Sequence, residues 1–117
     1  MSAQRRNIPA KEAQLKGSAL LFAALGDETR LQIVARLSAR GPLSIVRLTT
    51  GTGVTRQAVT KHLHVLSDAG LVRGRRVGRE IVWDLEPAQL EAARRSLERI
   101  STQWDEALGQ LKRFVER

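Results

Sequence analysis

The chain has 117 residues, enough for one domain with a single continuous core. It is 42% hydrophobic and 27% charged, a globular composition, and it lacks the run of roughly 18 apolar residues that a bilayer span needs, which sets membrane proteins aside. Lys and Arg number 20 against 12 Asp and Glu, for a formal net charge of +8; such an excess favours polyanionic partners, nucleic acid first. With no cysteine in the chain, disulfides, thiolate metal sites and cysteine nucleophiles are all excluded.

Residues 1–10 read as a flexible basic tail that includes Arg5 and Arg6 and is closed near Pro9. Charged residues interrupt any export-type apolar stretch there, so the expected compartment is the cytoplasm. Residues 11–117 are expected to form one domain. From Lys11 to Leu25, Leu15, Ala19, Phe22 and Ala23 fall at helical spacing, and Gly26 ends the stretch. Asp27 is placed to cap a second helix that Gly41 and Pro42 stop. Ser44 can cap a short third helix carrying Ile45 and Leu48, limited to about two turns by Thr49, Thr50, Gly51 and Gly53.

Thr55 caps a fourth helix running to Ala69-Gly70. Its apolar Ala58, Val59, Leu63 and Leu66 alternate with Arg56, Gln57, Thr60, Lys61 and His64, a pattern expected of a helix packed on one side and open on the other. From Leu71 the period becomes strand-like, with Ile81, Trp83 and Leu85 alternating beyond Gly78, so a two-stranded antiparallel hairpin is expected. Arg73, Arg75, Arg76 and Arg79 stand on its near strand and tip with no acid among them.

Glu86-Pro87 starts a last helix that continues almost to Arg117. Leu90, Leu97, Trp104 and Leu111 recur every seven residues, as do Ala93, Ile100, Ala107 and Phe114, with Leu108 beside them. At about 1.5 Å per residue this seam is some 40 Å long, more than so small a domain covers by itself. A homodimer interface is expected, built from Leu15, Ala19 and Phe22 of the first helix and from Leu90, Ala93, Leu97, Ile100, Trp104, Leu108, Leu111 and Phe114 of the last. Coverage by the first helix within one chain is the alternative.

The architecture read from these elements is mainly α with a small β-hairpin wing: a winged helix-turn-helix of five helices. In that arrangement the second helix of the motif enters the major groove of double-stranded DNA. Arg56 and Lys61 suit guanine, Gln57 suits adenine, and Thr60 suits a thymine methyl or a phosphate. Thr55 and His64 flank them. The four hairpin arginines suit phosphates or a narrow minor groove, and set affinity more than specificity. A dimeric protein-interaction module and a non-specific architectural DNA binder are the alternative readings.

His62 and His64 lie two apart on a helix and point about 200° from each other, so they do not share an ion. No metal site and no cofactor is expected. The chain also has no glycine-rich phosphate loop, no His-Glu-x-x-His pattern and no serine with a recognisable base, so it is not read as an enzyme.

Four segments in order carry a family resemblance: residues 25–31 (Leu-Gly-Asp-Glu-Thr-Arg-Leu), 54–63 (Val-Thr-Arg-Gln-Ala-Val-Thr-Lys-His-Leu), 66–72 (Leu-Ser-Asp-Ala-Gly-Leu-Val) and 76–79 (Arg-Val-Gly-Arg). Over roughly residues 18 to 90 the chain resembles the ArsR/SmtB winged-helix repressors. The resemblance implies a homodimer held by its terminal helices that binds a pseudo-palindromic operator and blocks transcription. Members that sense metals use cysteines of the third helix or histidines of the last. Residues 43–48 hold no thiol and residues 87–117 no histidine. The chain is therefore similar to the cysteine-free, non-metal-sensing members, which answer to a small-molecule or protein effector or to their own concentration.

Overall fold

The computed structural model describes residues 16–116. The expectations for the tail, for the start of the first helix and for Leu15 lie outside the described residues. Helix α1 occupies residues 16–25. Asp27 then caps α2 (Glu28–Arg40), its Oδ2 accepting from the Arg30 backbone N–H at 3.0 Å. Gly41, at φ 79°, ends α2.

Leu43–Ser44 form β1, which the sequence reading did not anticipate. Ser44 also caps α3 (Ile45–Thr49), a five-residue helix. Thr49 and Thr50 turn their hydroxyls back to the carbonyls of Ile45 and Val46, at 2.7 and 2.9 Å, a side-chain alternative to further helix. Gly51 and Gly53 carry the following turn at positive φ, and Thr55 caps α4 (Arg56–Asp68) through the Ala58 N–H at 3.1 Å.

The end of α4 is a Schellman turn. The Leu71 N–H reaches the Leu66 carbonyl and the Gly70 N–H that of Ser67, each at 2.9 Å, with Gly70 at φ 76°. Both Leu66 and Leu71 are fully buried, closing the turn with an apolar contact. Strands β2 (Val72–Val77) and β3 (Glu80–Leu85) follow, joined through Gly78 and Arg79. Gly78 has φ 63°, as the first central residue of a II′ hairpin turn requires.

The sheet has three antiparallel strands in the order β1-β3-β2, with Leu43 opposite Trp83 and Gly74 opposite Trp83 on the other side. The expected two-stranded wing thus gains a short edge strand, because the chain leaving α2 pairs with β3 before entering α3. The core lies where α2, α3 and α4 meet this sheet: Ile33, Leu37, Leu48, Val59, Leu63, Leu66 and Leu71 are almost wholly enclosed. Leu21 and Ala24 of α1 close one side of it.

Helix α5 (Pro87–Val115) has 29 residues, about 43 Å at 1.5 Å per residue. Only its start is covered, Ala93 and Ser96 being its buried residues. Beyond them Leu97, Ile100, Trp104, Leu108, Leu111 and Phe114 are exposed, Trp104 at 63% and Phe114 at 72%. Among the described residues no helix is long and apolar enough to cross a membrane.

Candidate nucleic-acid interface

The open face of α4 is made by exposed Arg56, Gln57, Lys61 and His64, with exposed Thr55 at its cap. Opposite them Val59, Leu63 and Leu66 are fully buried, so packing of the apolar stripe fixes which side faces out. Thr60 differs from its polar neighbours. It is half-buried, and its hydroxyl donates to the Arg56 carbonyl at 2.8 Å, so its methyl and lone pairs are what it can offer a ligand.

The turn ahead of α4 is pinned from outside the motif. Arg36 of α2 donates from Nη1 to the Leu48 carbonyl at 3.0 Å and to the Thr50 carbonyl at 2.6 Å. These belong to the end of α3, whose last carbonyls have no helical partner. A five-residue helix has little stability of its own, and Arg36 ties it to the longer α2. Sequence reasoning passed over Arg36 because its partners are backbone atoms far along the chain.

On the wing, Arg73, Arg75, Arg76 and Arg79 are all exposed. Strand alternation sets Arg73 and Arg75 on one face of β2 and Arg76 on the other. Arg73 lies 3.7 Å from a Glu86 carboxylate oxygen, an exposed pair that softens its charge only slightly. Arg75, Arg76 and Arg79 have no carboxylate within 4 Å among the described residues. Val77 and Ile81 add exposed apolar surface near the tip.

The wing is seated close to α4. Trp83 is 7% exposed, its ring edge packs under Gly74, and a Cβ on Gly74 would stand 3.2 Å from that ring. The His64 ring lies 6.3 Å from the Trp83 ring. The His64 end of the open α4 face is thus set against the sheet that carries the basic hairpin.

Among the described residues no group of three His, Cys, Asp or Glu could hold a metal ion. His62 is half-buried beside Leu63 and turned away from exposed His64. On α5, Leu90 and Ala93 pack in the core of their own chain, Ala93 at 6% exposure, whereas the seam residues from Leu97 onward are open. On α1, Ala19 is exposed and Phe22 half-buried. Ser18 and Ser96 join α1 to α5 through their hydroxyls at 2.8 Å, at the edge of a groove of about 1030 Å³ that reaches Asp68 at the end of α4.

Residues 25–75 match the family described as a helix-turn-helix domain. Over 85 residues the chain is 45% identical to the HTH-type transcriptional regulator Rv2034 of Mycobacterium tuberculosis, covering 73% of this chain and 76% of that protein. The solved structure of an ArsR-like transcriptional regulator from Rhodococcus sp. RHA1 is 41% identical, with a TM-score of 0.75 over 87% of this chain and 95% of that one. The homodimeric winged helix-turn-helix DNA-binding domain of Mb0332 from Mycobacterium bovis is 29% identical, with a TM-score of 0.62 over 86% of this chain and 89% of that one.

Proposed function

The chain belongs to the ArsR family of winged helix-turn-helix transcriptional regulators, and we propose that it works as a homodimeric repressor that reads its operator with α4 and grips it with the wing. The observation that carries this reading is the contrast between the two sides of α4. Val59, Leu63 and Leu66 are fully buried while Arg56, Gln57, Lys61 and His64 stand open, and three exposed wing arginines have no carboxylate partner among the described residues.

In the proposed complex two α4 helices occupy successive major grooves about 34 Å apart, one turn of the duplex. Arg56 and Lys61 donate to guanine O6 or N7, and Gln57 pairs with adenine N6 and N7. Arg75, Arg76 and Arg79 lie along phosphates or in the minor groove, where they hold the dimer in register. The dimer forms through α1 and the open stripe of α5 from Leu97 to Phe114. A dimer seated on a promoter excludes polymerase, which makes repression the direct consequence of binding. The protein acts where the chromosome is, in the cytoplasm, and a small-molecule or protein effector releases it.

Capture of genomic fragments on the purified protein, followed by sequencing, tests the reading. Enrichment of an inverted repeat is expected. Equal recovery of all fragments would mean an architectural binder, and no recovery at physiological salt an interaction module.

A further inference from the structure

Arg30 does more than begin α2. Its Nε donates to the Ala24 carbonyl at 2.6 Å and its Nη2 to the Ala23 carbonyl at 3.4 Å. Both are carbonyls of the last turn of α1, where a cation also complements the helix dipole. The remaining arm turns the other way: Nη1 lies 3.3 Å from Nδ1 of His62, on α4. One guanidinium thus spans the end of α1 and the flank of α4.

Arginine has donors only, so in this contact Nδ1 of His62 is the acceptor. Asp27 Oδ2 lies 3.8 Å from the same Nδ1, beyond hydrogen-bond length. Asp27, at the α1–α2 junction, and Arg30 are the charged groups in contact with the ring among the described residues. From α3 and β2, which also pack on α4, no charged side chain pairs with it there.

We infer that Arg30 is a positioning residue for the DNA-reading helix: it fastens α4, through His62, to the end of α1, so that the spacing of the two reading helices follows the dimer interface. The inference rests on the reading of α4 proposed above. Removing either partner of the Arg30–His62 contact frees α4 from α1 and loosens the spacing that a two-half-site operator demands. Binding to one half-site, which needs no spacing, is barely affected.

The test compares the wild-type dimer with His62→Leu, which removes the acceptor, and with His62→Gln, whose amide oxygen can replace it. Affinity is measured for the captured inverted repeat and for a duplex with one half of it. Affinity for the full repeat, relative to the half-site, is expected to fall about tenfold in His62→Leu, the scale of one hydrogen bond to a charged group, and to be restored in His62→Gln. An undiminished ratio in His62→Leu would overturn the inference.

Arg30→Met, checked for folding and dimer mass, is expected to lose the full-site advantage as His62→Leu does; an unchanged advantage would also overturn it. A readout without DNA separates this inference from the reading of α4. Nitrogen NMR of the His62 ring is expected to show the Nε2–H form at about pH 8, and an Nδ1–H ring would sink the junction whatever the protein binds. Conversely, a Gln57→Ala variant with undiminished operator preference would displace the reading face and leave the junction standing.

Discussion

The imidazole of His64 and the indole of Trp83 face each other at 6.3 Å and 55°, making an aromatic joint between helix α4 and the hairpin. Trp83 is also the centre of the sheet, with Leu43 on one side and Gly74 on the other. Trp83→Ala should lower stability by about 3–5 kcal/mol, measured by urea unfolding. Trp83→Phe should cost much less, because it keeps most of the packing and removes a buried indole N–H that has no partner among the described residues. Equal losses would contradict this, showing that a phenyl ring cannot replace the indole in seating the wing.

Base reading and backbone gripping separate by substitution. Gln57→Ala should remove about 1–3 kcal/mol of preference for operator over random duplex, with little change in the salt dependence. Arg75→Ala should weaken both duplexes alike and flatten the slope of log K against log salt by about one. Titrations at several salt concentrations check both. An unchanged operator preference in Gln57→Ala would move the reading face elsewhere on α4.

The open stripe on α5 predicts its own variant. Trp104→Glu puts a charge at the middle of the seam, where it is solvated in a monomer and desolvated in a dimer. Sedimentation should show the wild type as a dimer and the variant shifted to monomer at micromolar concentration, with operator binding lost and the fold intact by circular dichroism. Persistence of a dimer in the variant would place the interface on another surface.

Acid should weaken the α1–α2 junction. The Arg30 backbone N–H, reinforced by the Arg30 charge, holds the Asp27 carboxyl below its usual range despite partial desolvation. A folded-state value below the unfolded one means that the stabilisation is complete above the ordinary value of 3.8 and is lost as pH falls through the folded value. Thermal unfolding from neutral pH downward should show this loss in the wild type. Asp27→Asn, which keeps a capping oxygen, should be less sensitive in the same range; matching acid profiles would remove Asp27 from the account.

Local chemistry is what made so much of this fold legible. Asp27, Ser44 and Thr55 were readable as caps because a capping oxygen and the N–H it accepts are three residues apart. The outward face of α4 was readable because its apolar residues alone show which way it must turn. Strand β1 was not, since two residues carry no alternation and Leu43 is a strand residue only by virtue of Trp83, far along the chain. Thr60 looked like its neighbours until its hydroxyl was found on the Arg56 carbonyl. The heptad pattern gave Ala93 and Leu97 equal standing, yet the first is in its own core and the second in the open; a repeat shows that a stripe needs cover, without showing whose. Arg30 and Arg36 act on carbonyls of other helices, and nothing in their sequence neighbourhood marks those partners.

Hydroxyl-radical footprinting of the protein on its captured inverted repeat tests the central claim most directly, that two α4 helices of one dimer read one duplex. Two protected patches on the same face of the DNA are expected, centred about 34 Å apart, with weaker flanking protection where the wings lie. A single patch, or uniform protection along the fragment, would contradict it.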